Sequence, residues 1–297
     1  MKRTGAGLTR RDFVKGVGGA AVGMTAGLPM PVSGTTAQNT SRVVLIRNEE
    51  VVSGTRDINE ELIQQMLDQA MVALFNQERP LDCWKQIIRP HDIVGIKTNV
   101  WRHLPTPPEV ERAIKNGVLQ AGVAEENIAL GDQRILQNPG FQRATALINT
   151  RPMRTHSWSG VGSLLKNYIT FAHPPDYHAD ACAGLAELWQ LPITKGKTRL
   201  NVLVMLTPQF HNIGPHHFDA SFIWPYSGLI VSTDPVAADA VGLRIIQQKR
   251  RLAFGEDRPL QPTAHHIALA DTEYHLGNAD MSKIDLVRLG WQEESLI

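Results

Sequence analysis

Polar side chains that directly follow apolar, β-branched runs are the first place to look for chemistry in an α/β chain, because ligands sit beyond the carboxyl ends of strands. Four such places stand out in this 297-residue sequence: Lys97 and Asn99, followed by Arg102 and His103; Gly131 with Asp132; Thr207 onward to His211; and Ser232-Thr233-Asp234. A lysine and an aspartate placed this way can counter a negative charge and move a proton, so Lys97, Asp132 and, further on, Lys166 are the candidate catalytic groups. Plainer roles stand beside these: Lys97 as a solvated edge residue, Asp132 as a turn starter, and Asp234 as the cap of a helix opening at Pro235. Asp239, about one turn further on, shares that helix face.

A second feature is the stretch Ser159-Gly160-Val161-Gly162-Ser163-Leu164-Leu165-Lys166-Asn167. Glycines and hydroxyls ahead of a short helix expose backbone amides to an anion, and a lysine one turn in completes the charge balance. The stretch lacks the spacing of a nucleotide P-loop, and an ordinary glycine turn with an exposed lysine is the alternative. Asn99, Ser163, Asn167, Asp234 and Asp239 form the candidate set for holding a cofactor or ligand.

Histidines supply a third chemistry. His173-Pro174-Pro175-Asp176-Tyr177-His178 leads to Cys182, and a helix starting after the prolines would put His178 and Cys182 on one face at i and i+4. His173 could fold back from the preceding loop, while His211 and His216 follow a strand-like run, so the five residues make a candidate transition-metal set. Capping and packing are the competing roles. His265 and His266 fall in a helical pattern and read as surface residues. There is no Ser-centred nucleophile elbow, no His-Glu-x-x-His and no Cys-x-x-Cys, and the two cysteines exclude an iron–sulfur cluster or a c-type haem.

The elements that must position these groups alternate. Residues 43–46, 93–97, 127–130, 200–205 and 228–231 read as strands; 59–75, the stretch from Pro107-Pro108 to Gly122, and 235–248 read as helices. The fold class is therefore α/β, a mixed or mostly parallel sheet flanked by helices, with the strand order left open. Residues 139–198 read as loop-rich, with room for lids or an inserted half-domain.

Ahead of all this lies a basic segment containing Thr9-Arg10-Arg11-Asp12-Phe13-Val14-Lys15, a short Gly- and Ala-rich apolar run, and a Ser/Thr stretch ending at Ala37. That order predicts a twin-arginine signal peptide over residues 1–37, a partner in the twin-arginine export machinery, and work in the periplasm or another extracytoplasmic space. The apolar run is too short to remain as a membrane span. Five of the 30 Lys and Arg and one of the 29 Asp and Glu lie in this segment, which leaves 25 against 28 and a net charge of −3. Such a balance argues against nucleic acid as a partner. In an oxidising compartment Cys83 and Cys182 could form one bridge if the fold brings them together.

Taken together, Asp92-Ile-Val-Gly-Ile-Lys97-Thr-Asn99, the helix start at Thr106-Pro-Pro-Glu109, residues 121–132, Gly162-Ser163-Leu-Leu-Lys166-Asn167 and Ser232-Thr-Asp234-Pro-Val-Ala-Ala-Asp239 resemble the domain-of-unknown-function family DUF362 in its twin-arginine-exported form. The resemblance spans residues 43 to 290, so residues 38–297 read as one such domain. It implies that Lys97, Asn99, Asp132, Lys166, Asn167, Asp234 and Asp239 occupy motif positions, and it implies no activity. The functional expectation is an exported protein that binds a metal or small anionic ligand and acts as an enzyme or redox accessory. A non-catalytic binding or assembly module of a larger exported complex, with a redox or assembly partner, is the alternative.

Overall fold

The computed structural model describes residues 40–297 apart from 55, 56, 213, 215 and 216. The twin-arginine stretch and His216 thus lie outside the described residues. Eight strands form the main sheet: β1 (Ser41–Arg47), β2 (Val94–Lys97), β3 (Ile128–Gly131), β4 (Ala146–His156), β5 (Gly160–Gly162), β6 (Thr198–Gln209), β7 (Gly228–Ser232) and β8 (Ile284–Gly290). Their order is β8-β1-β7-β6-β4-β2-β3, with β5 folded back on the end of β4. All neighbours along the path run parallel except β7, which is antiparallel to both β1 and β6. The α/β expectation holds, and the sheet is mostly parallel.

Alternate residues of each strand feed two cores, as the two-residue period of a strand requires. Val43, Leu45, Leu147, Met153, Leu203 and Ile230 face helices α4 (Pro235–Phe254) and α5 (His265–Thr272). Val44, Ile46, Val94, Ile96, Ile148 and Val202 face α1 (Glu60–Phe75), α2 (Pro80–Ile87) and α3 (Pro108–Gln120). The helices start where their chemistry says. Asn59 accepts a hydrogen bond from the amide of Leu62, and Asp234 accepts from those of Val236 and Ala237, each satisfying donors that a helix amino terminus leaves open. Cys83 lies in one core and Cys182 in the other, on opposite faces of the sheet, so the bridge between them does not form.

Three strands of the sheet were not legible in the sequence: β5, which falls in the glycine-rich stretch, and two longer ones. β4 falls inside the segment read as loops, yet all eleven of its residues are buried at the centre of the sheet. Asn149, Arg151, Pro152 and Arg154 hide it by breaking the apolar alternation. Proline cannot donate to a ladder and is tolerated in a strand interior at an irregularity, and the pairing of β4 with β6 shifts register between Pro152 and Arg154. β8, at the sheet edge, is the other omission; its side chains are exposed or half-buried, and its apolar pattern is weak. Among the described residues no helix is long and apolar enough to cross a membrane.

Candidate functional site

Strand direction decides which of the polar strand ends can meet. β2, β3, β4 and β6 point the same way, so Lys97, Asp132, the end of β4 and Gln209 gather at one edge of the sheet. β7 runs oppositely, which carries Ser232-Thr233-Asp234 to the far edge. There the Asp234 carboxylate is fully engaged by the helix cap, by Ser41 Oγ and by the amide of Asn278. Its role is to cap and to tie, and it takes no part in the cluster at the other edge.

Lys97 is completely buried. Its Nζ donates to Asp132 Oδ1 at 2.5 Å, to the Thr98 carbonyl at 2.7 Å and to Asn167 Oδ1 at 3.3 Å. The second oxygen of Asp132 accepts from the amide of Val100 at 2.9 Å. Burial pushes the lysine down to about 8, and the adjacent Asp132 charge limits that fall. Asn167 donates onward to Asn149 Oδ1 at 2.8 Å, and Asn149 to Asn201 Oδ1 at 3.3 Å, so an amide ladder crosses three elements behind the lysine. Asn99 shapes the loop after β2 through bonds with Thr106 and Trp101.

The glycine-rich stretch takes a different form from the one expected. Gly160–Gly162 is a strand, and a single helical turn, Leu164–Asn167, follows Ser163. The amides of Leu164 and Leu165, each at 2.9 Å, and Ser163 Oγ, at 2.6 Å, all donate to the carboxylate of Asp239. The anion this cradle holds is therefore an internal one, supplied by α4. Burial raises Asp239 to about 7 against the pull of those donors. Lys166 is buried, not exposed, and its Nζ lies 3.3 Å from Cys182 Sγ. Burial brings it down to about 8, with Cys182 opposing.

The groups that sequence reasoning missed lie on β4. Arg151 and Arg154 are 2 % and 5 % exposed, and the register shift between Pro152 and Arg154 lets both join one cluster. Neither guanidinium is fully engaged among the described residues: Nε and Nη2 of Arg151 and Nε and Nη1 of Arg154 are buried without a hydrogen-bond partner there. Burial lowers Arg151 to about 10 and Arg154 well below its ordinary value, Arg154 further by Arg151 itself. Trp101 lies under the Arg154 guanidinium at 3.9 Å, and His103 and Phe218 stack at 4.4 Å beside Trp101, so two loops meet over this arginine. Gly162 gives Arg151 its room, since a Cβ there would sit 2.8 Å from Nη2. The cluster thus sets Lys97, Arg151, Arg154 and Lys166 against Asp132 and Asp239. An Arg-x-x-Arg pair enclosing Pro152-Met153 and preceded by Leu147-Ile148 was the signal in the sequence.

The proposed metal set does not assemble among the described residues, where no group of three His, Cys, Asp or Glu side chains is placed to hold an ion. His173 is exposed and pairs with Asp176. The helix expected to align His178 with Cys182 is broken, because Asp180, Ala181 and Cys182 all take left-handed backbone angles. His178 packs on Trp158 at 4.2 Å and is lowered to about 4 by burial and by Lys166. His211 Nδ1 accepts from Arg250 Nη1 at 3.0 Å, and His216 lies outside the described residues. His266, read as surface, is fully buried and lowered to about 3 by desolvation. His156, at the end of β4, is kept neutral by burial and by the surrounding cations. It also lines a cleft of about 420 Å³ with Thr155, His211, Arg250, Arg258 and Leu260.

The model of a family described as a domain of unknown function (DUF362) matches residues 134–244, which supports that family for this chain. The matched stretch holds Arg151, Arg154, Lys166, Asn167 and Asp239, whereas Lys97, Asn99 and Asp132 precede it. No curated protein and no solved structure matches.

Proposed function

We propose that this DUF362-like chain binds a small oxyanion between Arg151 and Arg154, with Lys97 and Asp132 placed to move a proton at that ligand. The observation that carries this reading is the pair of buried guanidinium groups, each with two partnerless nitrogens. A buried charge without partners costs several kcal/mol, and an arginine fork matches the paired oxygens of a phosphate or carboxylate. Four cations against two carboxylates, both already engaged within the chain, leave the cluster positively charged. That favours the anionic-ligand alternative over the metal one.

Calorimetric titration and thermal unfolding of the full chain with inorganic phosphate, sulfate and acetate test this. At least one anion should bind with unit stoichiometry and raise the melting temperature. Replacement of Arg154 by Met should abolish both effects. If none of the three anions binds the native chain, the reading fails.

The extracytoplasmic location is part of the same proposal and is supported by Arg10-Arg11 with Phe13 and Lys15. Replacing Arg10 and Arg11 with Lys should retain the chain in the cytoplasm, as followed by fractionation. Unimpaired export of that variant would refute the twin-arginine route.

A further inference from the structure

Gln209 ends β6 directly beside Arg154, its register partner on β4, so the two side chains leave the sheet on the same face. It is completely buried, and both Nε2 and Oε1 lack partners. That combination differs from the arginines. A guanidinium can only donate, so two arginines ask for oxygen acceptors and nothing more. An amide offers one donor and one acceptor, and among the described residues no group donates to its Oε1. His266 makes the same demand, since its neutral ring, buried and partnerless at both nitrogens, also has one acceptor.

Resting on the oxyanion reading above, we infer that Gln209 is a specificity-determining residue, and that the ligand is an oxyanion carrying its own hydrogen-bond donor beside its charge. Hydrogen phosphate and α-hydroxycarboxylates belong to this class; sulfate and simple carboxylates do not. The arginines would take the ionised oxygens and Gln209 Oε1 the O–H. A fully deprotonated anion would leave that acceptor unpaired, as it is in the free chain, and would forgo a bond that amounts to roughly 10- to 100-fold in affinity.

The experiment is calorimetric titration of the full chain at pH 7 with two matched pairs, phosphate against sulfate and glycolate against acetate. The donor-bearing member should bind roughly 10- to 100-fold more tightly in at least one pair. Preference within the first pair assigns an inorganic ligand, and within the second an organic acid. Gln209→Met, an apolar replacement of similar length, should weaken the preferred anion about tenfold while leaving its donor-free counterpart within about twofold. Gln209→Asn, which retains both amide functions, should keep the preference. Binding of all anions without discrimination, or discrimination that survives in Gln209→Met, overturns the inference and leaves the oxyanion site standing. Failure of every anion to bind overturns the site itself and the inference with it.

Discussion

Replacing Arg151 with Met should make the unliganded protein more stable while removing its response to anions. In the native chain the guanidinium is 2 % exposed, with Nε and Nη2 unpaired. Each such nitrogen carries a desolvation cost of roughly 1–3 kcal/mol. Attraction toward Asp132 and Asp239 offsets part of it, since both favour the charged arginine. Met fills a similar length with no polar atoms, so the net gain is about 1–3 kcal/mol, in the range found when buried ionic groups give way to apolar ones. For a chain of this size that corresponds to a rise of about 2–4 °C in melting temperature per kcal/mol. Phosphate at a hundred times its Kd should stabilise the native chain by about 2.7 kcal/mol, and should leave the variant unmoved. Differential scanning calorimetry with and without phosphate reads both effects. A variant less stable than the native chain would mean that Arg151 is structural, and a retained phosphate response would remove it from the site.

Gly162→Ala should weaken anion binding about tenfold, the cost of moving one charged hydrogen bond out of line, because its Cβ meets the flexible end of Arg151. Titration should show that loss with little change in melting temperature; undiminished affinity would place Arg151 elsewhere. Asp239 has its ordinary value of 3.8 raised to about 7. Its contribution to stability is therefore full below about pH 4 and is lost as the pH rises through 7, by roughly 4 kcal/mol between those limits. Asp239→Asn should flatten that slope in denaturant unfolding across the same window, and an unchanged slope would contradict the assignment. Lys97, lowered to about 8, penalises the fold below that pH and is relieved as the pH climbs toward its ordinary 10.5. Carbon NMR of labelled lysine should place its midpoint near 8 and lower still in Asp132→Asn, whereas a midpoint near 10.5 would deny the buried pair.

The helices were readable because their signals are local. Asn59 and Asp234 cap, Pro108 and Pro235 open, and Gly122 closes, all within a few residues of the turns they govern. The site was readable only in part, because two of its determinants are not local. Strand direction is a tertiary property: Lys97, Asp132 and Asp234 look alike as strand-end residues, and only the reversed course of β7 separates Asp234 from the others. The partner of the glycine-rich stretch is likewise distant. Ser163 and Asp239 are 76 residues apart, so nothing near Ser163 announces that its anion is already provided. β4 was hidden by its own polar residues, Asn149, Arg151 and Arg154. Periodicity detects strands through apolar alternation, and a strand that points arginines into a core breaks the pattern.

Whether such arginines are fortuitous can be judged within the molecule. Arg250 is as buried as Arg154, and its guanidinium donates to the carbonyls of Phe210, Arg258 and Pro259 and meets His211. Arg47, also buried, donates to the Tyr226 and Glu293 carbonyls and lies between the rings of Tyr226 and Trp291. Both are structural arginines, and both show how readily this fold engages a buried guanidinium with backbone oxygens. Arg151 and Arg154 sit in a strand whose every residue is buried, with a register shift and a glycine making room for them, and still keep four nitrogens unpaired among the described residues. Packing alone would have favoured an apolar residue at either position. The contrast points to a role outside the folded chain, in binding an anion, which is what these two side chains are chemically equipped to do.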